Sequence, residues 1–285
     1  MDQRIINLFD EYTHQPLKRD DFIQRLTKIT GSTAAALAIL PLLEVNYAHA
    51  ETIQQEDDRL TIERITYPGD GCDMKAYVAM PKKKGKYPAV MVIHENRGLN
   101  PHIEDVTRRM ALEGFIAIAP DALSPLGGTP VDADQARDLF QKLDAAKNLN
   151  NFIKAFDYLK TRKECTEKFG AIGFCWGGGM VNQLAVNVPE LKAAVPYYGR
   201  QAEAADVPKI KAALLLHYAG QDERINAGIP TFEEALKKAG TRYQIYIYEG
   251  VQHAFNNDTA PTRYNEAVAK LAWGRTLGFL TTELK

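Results

Sequence analysis

Gly173-Phe174-Cys175-Trp176-Gly177-Gly178-Gly179 is the stretch from which the rest of the chain is read. An apolar run, Phe169 to Phe174, leads into it, and a helix-like run, Met180 to Val188, leads out. A cysteine between a buried strand and a helix, with a glycine two positions to either side, matches the G-x-nucleophile-x-G turn, in which serine is the commoner nucleophile. The spacing has physical reasons. The turn holds its central residue at strained backbone angles, and strand and helix approach too closely for side chains at the flanking positions. The helix start aims free N–H groups and a positive dipole end at the sulfur, which favours thiolate and offers a donor to an oxyanion. A glycine-rich turn around a buried structural cysteine is the competing reading, and the residues downstream decide between the two.

The 285 residues give room for one large α/β domain or two small ones. A formal net charge of −1 gives no ground for a nucleic-acid partner. Cys72, Cys165 and Cys175 are an odd, sparse set with neither a disulfide framework nor a C-x-x-C zinc pattern. No metal and no organic cofactor is expected. The apolar runs are too short for a confident membrane span, so stable membrane insertion is not expected.

Residues 1–58 differ from the rest and are read as an N-terminal arm and linker, ahead of a domain at 59–285. A short helix is expected at Ile5 to Tyr12. Lys18, Arg19, Arg25 and Lys28 then precede the apolar run Thr33 to Leu43, and Ala48-His49-Ala50 follows. Basic segment, apolar segment and A-x-A describe a secretory signal. Against that, Lys18-Arg19-Asp20-Asp21-Phe22 departs from a twin-arginine pattern, and Pro41 and Glu44 interrupt the apolar run. The preferred reading is a retained helical arm that packs on the domain or on a neighbouring subunit, in a cytoplasmic protein; the alternative is a periplasmic or exported one.

From Leu60 onward, strand and helix patterns alternate. Leu60–Tyr67 and Met74–Met80 flank the turn Pro68-Gly69-Asp70-Gly71 and read as an antiparallel hairpin. Apolar runs at Ala89–His94, Phe115–Ala119, Phe169–Phe174, Ala193–Tyr198, Ala212–Tyr218 and Tyr243–Tyr248 read as further strands. Helices are expected at Ile103–Glu113, Ala133–Leu143, Leu149–Leu159, Thr231–Lys238 and Tyr264–Leu280. The alternation implies a mostly parallel sheet with helices on both faces.

In such a sheet, sites form beyond the carboxyl ends of the strands. The polar residues there are Glu95, Asn96 and Arg97 after one run, then Cys175, Asp222 and His253, each just past a different one. Nucleophile, acid, histidine is the chain order of the α/β-hydrolase fold. The expected roles follow: Cys175 attacks an acyl carbonyl, His253 moves the proton, and Asp222 orients the imidazole. The N–H groups of Trp176 and Asn96 are the expected oxyanion donors. Tyr198 and Trp176 suit an apolar wall for substrate. His14 and His102 are read as solvent-exposed, and His217, inside an apolar run, as a core histidine.

From about Leu60 to Leu280 these residues resemble the dienelactone hydrolase (carboxymethylenebutenolidase) family. The matching pieces are Glu95, Gly-Phe-Cys-Trp-Gly-Gly at the turn, Tyr197-Tyr198-Gly199, Gly220-x-Asp222 and His253-Ala254-Phe255. The resemblance implies that Glu95 contacts the resting thiol of Cys175 and helps to generate thiolate. It also implies an arginine four residues after the histidine to hold a substrate carboxylate, where this chain has Asn257. Arg97, Arg200 and Arg263 are the candidate substitutes. The expected activity is therefore a cofactor-independent cysteine hydrolase of small esters or lactones. The rivals are a generic carboxylesterase or thioesterase on the same residues, and a non-catalytic scaffold that binds a ligand or partner.

Overall fold

The computed structural model describes residues 2–44 and 52–285. Three helices come first: α1 (Gln3–His14), α2 (Arg19–Thr30) and α3 (Thr33–Leu43). Then follow β1 (Leu60–Pro68), β2 (Asp73–Pro81), β3 (Tyr87–Ile93), α4 (Pro101–Leu112), β4 (Ile116–Pro120), α5 (Ala133–Phe140), α6 (Ala145–Lys160) and β5 (Cys165–Phe174). The chain continues through α7 (Trp176–Asn187), β6 (Leu191–Tyr197), β7 (Ala213–Gln221), α8 (Glu223–Asn226), α9 (Ile229–Ala239), β8 (Tyr243–Gln252) and α10 (Glu266–Leu284).

The strands form one sheet in the order β1-β2-β4-β3-β5-β6-β7-β8. β1 and β2 pair antiparallel, β2 meets β4 antiparallel, and every pairing from β4 to β8 is parallel. The period-two geometry of a strand divides its side chains between two cores. Ala89, Met91 and Ile93 of β3 face α6, α7 and α9 through Phe152, Phe156, Val181, Leu184 and Leu236. Val90 and Val92 face α4 and α10 through Ile103, Met110, Ala272 and Leu280. Burial on both faces explains why the parallel strands read as unbroken apolar runs. Helices on both sides and this strand order, with β2 antiparallel to β4, are those of the α/β-hydrolase fold.

Some boundaries lie outside the apolar runs. β5 begins at Cys165, four residues early, because Cys165 pairs with Tyr87 across a bulge that holds Glu167 at φ 59°. β7 and β8 run on through polar residues to the pair Gln221–Gln252. A ladder needs backbone partners, not apolar side chains, so hydropathy alone stops these strands short.

The arm has a core of its own. α1 places Ile5, Leu8, Phe9 and Tyr12 on one face, at the spacing of helical turns. Phe22 and Leu26 of α2 and Ala36, Leu40 and Leu43 of α3 complete the cluster. Tyr12 stacks on Phe22 with ring centroids 4.3 Å apart. Ser32 caps α3 by accepting from Ala35 N–H, and Gly31, at φ 82°, reverses the chain between α2 and α3 at an angle of 111°. No single helix among the described residues is long and apolar enough to cross a membrane; the bent pair α2–α3 reaches that length and composition only when taken together. The signal-like Ala48-His49-Ala50 lies outside the described residues. The linker is docked rather than loose: the backbone N–H groups of Thr52 and Ile53 donate to Asp105 Oδ1 of α4 at 3.0 and 2.7 Å.

Candidate active site

Sheet order reverses at β3, which leads on to β4 on one side and has β5 on the other. That reversal opens a crevice at the strand ends. Cys175 sits in it, between β5 and α7, at φ 55° and ψ −114°. A non-glycine residue is rare at positive φ and persists only where the surroundings over-determine it. Here they do. A Cβ on Gly173 would overlap the Gly177 carbonyl, and one on Gly177 would overlap the carbonyls of Ile93 and His94. Both flanking glycines are thus required by close packing of β5, α7 and β3. Cys175 N–H is held by the Tyr197 carbonyl at 3.0 Å. Trp176 opens α7, so its N–H has no carbonyl one turn earlier in the helix to bond.

Asp222, one residue past β7, and His253, one past β8, meet beside the cysteine. His253 Nδ1–H donates to Asp222 Oδ2 at 2.5 Å, with both side chains buried. Its Nε2 is buried without an aligned hydrogen-bond partner. One ring nitrogen of His253, one of His14 and the sulfur of Cys175 lie within 4.8 Å of one another.

His14 is the correction to the expected exposed histidine. It ends α1, and its Nε2 lies 3.0 Å from Cys175 Sγ. Its Nδ1 donates to the Asp10 carbonyl at 2.8 Å and stands 3.2 Å from Asp10 Oδ1. The His14 and His253 rings meet edge to face at 4.8 Å. Nothing in the polar segment Thr13-His14-Gln15-Pro16 signals this, because the contact is made across 161 residues of sequence. His102 is also buried, paired with Asp258 at 2.8 Å. His217 is fully buried, and its ring nitrogens meet Thr276 Oγ1 and the Tyr248 hydroxyl.

Burial opposes charge on Cys175, His14 and His253 alike, but their mutual interactions outweigh it. The thiol is brought down to about 6 against burial by the two histidines, with His14 the larger influence. His253 is pushed up to about 10 against burial, through Cys175 and Asp222. His14 is raised, against burial, through Cys175 and Asp10. Asp10 is held below the usual carboxylate range despite its burial, through His14, His253 and Arg224.

Glu95 is placed differently from the expected thiol contact. Its carboxylate accepts from Asn257 Nδ2 at 2.8 Å and from the Tyr198 hydroxyl at 3.4 Å, while the sulfur is hydrogen-bonded to His14. Asn257 is 3% exposed and accepts from the N–H and hydroxyl of Thr259, so its amide is a buried brace for Glu95 and not a surface for substrate. Asn96 holds the arm: its Nδ2 donates to the Thr13 carbonyl at 2.5 Å. The arginines expected near substrate are committed elsewhere. Arg97 donates to the Ala133 carbonyl at 2.7 Å and faces Asp134. Arg263 lies over the Phe9 ring at 5.3 Å and faces Asp10 at 3.9 Å. Tyr198 is fully buried at φ 39°, and its ring packs on His253 at 4.9 Å.

A cleft of about 980 Å³ reaches the sulfur, lined by Thr13 to Pro16 of the arm, Phe140, Trp176, Met180 and Tyr198 among others. A sulfur on a strained turn, a histidine braced by a carboxylate and an N–H at a helix start are the kinds of group that acyl transfer uses. Among the described residues, the histidine–cysteine–histidine trio is also the group spaced to hold a metal ion.

Comparison with known proteins gives the family of the chain. A Saccharolobus solfataricus protein provisionally named a carboxymethylenebutenolidase is 31% identical over 256 residues, covering 76% of this chain and 97% of its own. An Escherichia coli protein of the same provisional name is 33% identical over 241 residues, covering 79% and 88%. A crystal structure from Klebsiella pneumoniae, provisionally named a dienelactone hydrolase, superposes with a TM-score of 0.70 at 29% identity, covering 78% of this chain and 98% of that one. Residues 74–284 match the dienelactone hydrolase family, and the chain belongs to it.

Proposed function

We propose that this hydrolase acts on small esters or lactones through an acyl-enzyme on Cys175, with His253 and Asp222 as its base and orienting acid. The carrying observation is His253 itself: Asp222 holds one ring nitrogen and leaves the other buried beside a sulfur on a strained turn. The thiolate of Cys175 attacks the substrate carbonyl, and the oxyanion is met by Trp176 N–H, with Asn96 N–H opposite. When the carbon–oxygen bond breaks, the imidazolium of His253 gives its proton to the leaving alkoxide. His253, now neutral, takes a proton from water, hydroxide attacks the thioester, and the sulfur leaves as thiolate.

Neutral substrates are the preferred class in this reading. Asn257 is spent on Glu95, and the arginines lining the cleft each face an acid: Arg137 meets Asp138, Arg200 meets Glu203, and Arg224 meets Asp10. A substrate carboxylate would have to compete with those acids. Hydrolysis of p-nitrophenyl acetate, with a burst of p-nitrophenol matching the acyl-enzyme, is the test. An intact protein without such activity, or a Cys175→Ala variant that keeps it, would sink the proposal. Residues 1–58 are taken as a retained arm in a cytoplasmic protein, since the arm brings His14 to the sulfur.

A further inference from the structure

Two histidine–carboxylate pairs converge on one sulfur atom. Asp222–His253 comes from the ends of β7 and β8, and Asp10–His14 comes from α1, outside the sheet. We propose that His14 is a further catalytic residue: the cation that keeps Cys175 as thiolate before substrate arrives, positioned by Asp10, so that the site is incomplete without the N-terminal arm. The proposal rests on the hydrolase mechanism above and deepens it.

Geometry carries the argument. His14 Nε2, at 3.0 Å, is the nitrogen in direct hydrogen-bond contact with the sulfur. Its other nitrogen is fixed from three sides, by the Asp10 carbonyl at 2.8 Å, the Asp10 carboxylate at 3.2 Å and the Thr13 hydroxyl at 2.9 Å. That bracing holds the ring plane and keeps Nδ1 protonated, as Asp222 does for His253. α1 is in turn clamped to the domain along its length ahead of His14. Arg137 lies 4.1 Å over the Tyr12 ring, Asn96 donates to the Thr13 carbonyl, and Gln252 donates to Gln3 Oε1 at 3.1 Å. The charged and titratable groups around the imidazole are Cys175 and His253 from the domain, Asp10 from its own helix with Arg224 and Arg263 behind it, Arg137 beyond Tyr12, and Glu95 behind Tyr198. The thiolate and Asp10 thus favour the imidazolium at close range.

The placement of Glu95 fits this arrangement. That carboxylate is tied to Asn257 and Tyr198. A carboxylate that stays ionised at the sulfur would oppose a standing thiolate; an imidazolium supports one. The proton balance is simple. His14 takes its proton from water and holds it through the cycle, with Asp10 supplying the opposing charge. His253 alone passes a proton, from its Nε2 to the leaving group and back from water. A cap that merely blocked the sulfur would fill the crevice, whereas the cleft along Thr13 to Pro16 stays open to Cys175.

The experiment is the pH profile of Cys175 alkylation by iodoacetamide in the full-length protein, read at Cys175 by peptide mass spectrometry. The wild-type midpoint is expected near 6. In His14→Gln it should rise by about one pH unit or more, as expected for loss of an opposite charge at this range. Asp10→Asn, which leaves the imidazole in place, should shift the midpoint the same way by less, and it is the second variant should His14→Gln not fold. An unchanged midpoint in both variants would overturn the proposal. So would faster alkylation and turnover at every pH in His14→Gln, which would make the arm a cap. Alkylation does not depend on turnover. A shifted midpoint in a protein that fails to hydrolyse p-nitrophenyl acetate would therefore leave the thiolate role standing and remove the acyl-enzyme assignment alone.

Discussion

His253 and His14 reach the same sulfur from regions built on different rules. The sheet itself sets where His253 stands. That residue is one past β8, its brace Asp222 is one past β7, and adjacent parallel strands hold the two in register. α1 has no strand partner. It reaches Cys175 by burying Phe9 and Tyr12, by placing Arg137 on the Tyr12 ring, and by gathering Arg224 and Arg263 around Asp10. The first kind of placement survives as long as the domain folds. The second depends on a docking equilibrium between a helical arm and a finished domain, which has a free energy of its own.

Substitutions at the sheet end should give the largest effects. Cys175→Ala should lower kcat by roughly 10⁴-fold or more with no change in the far-UV circular dichroism spectrum. His253→Gln and Asp222→Asn should each lower it by roughly 10²-fold or more, and the double variant should cost little beyond the worse single one, because the pair acts as a unit. Additive losses would separate Asp222 from His253. His14→Gln should behave otherwise: at pH 9, above the raised midpoint expected for the variant, kcat should fall by less than about tenfold. A loss as large as that of His253→Gln would erase the contrast between the two regions.

Smaller effects test the docking. Arg137→Ala removes a cation stacked on Tyr12, an interaction worth on the order of 0.5–2 kcal/mol. Limited proteolysis should then cut the arm sooner, while the domain stays intact; equal cleavage rates would mean that other contacts hold α1. A substrate pair differing only in carboxylate against methyl ester should favour the neutral partner by a severalfold margin in kcat/KM. A strong preference for the acid, lost in Arg263→Ala, would show that Arg263 leaves Asp10 and Phe9 to hold substrate. Mass spectrometry of the protein from its native host should place the N-terminus ahead of His14; a mature start at Glu51 would leave the sulfur to His253 alone.

The sheet and its turn were legible because their physics is local. Burial on both faces makes the parallel strands continuous apolar runs, and Gly173 and Gly177 mark the one place where β3, β5 and α7 come too close for a side chain. Cys175 stands out because it directly ends such a run, and Asp222 and His253 because each follows within a few residues of one. The extension of β7 and β8 to Gln221 and Gln252 was not legible, since backbone pairing leaves no hydropathic trace. Nor was the partner of Glu95: Asn257 lies 162 residues away, and the resemblance gave that glutamate a contact with the thiol that this chain gives to His14. His14 sits at the polar end of an amphipathic helix, where a histidine carries no signal until the surface it docks on is known.

The separate core of the arm has a consequence for how this enzyme can vary. Ile5, Leu8, Phe9, Phe22, Leu26, Leu40 and Leu43 stabilise one another without contributing to either core of the sheet. A substitution in α2 or α3 can therefore tilt or loosen α1 without disturbing β5, α7 or the strained turn between them. Through His14, such a change would alter the acidity at which the thiol ionises. On the proposed role of His14, the working pH of the enzyme would be adjustable from helices whose apolar core is separate from both cores of the sheet.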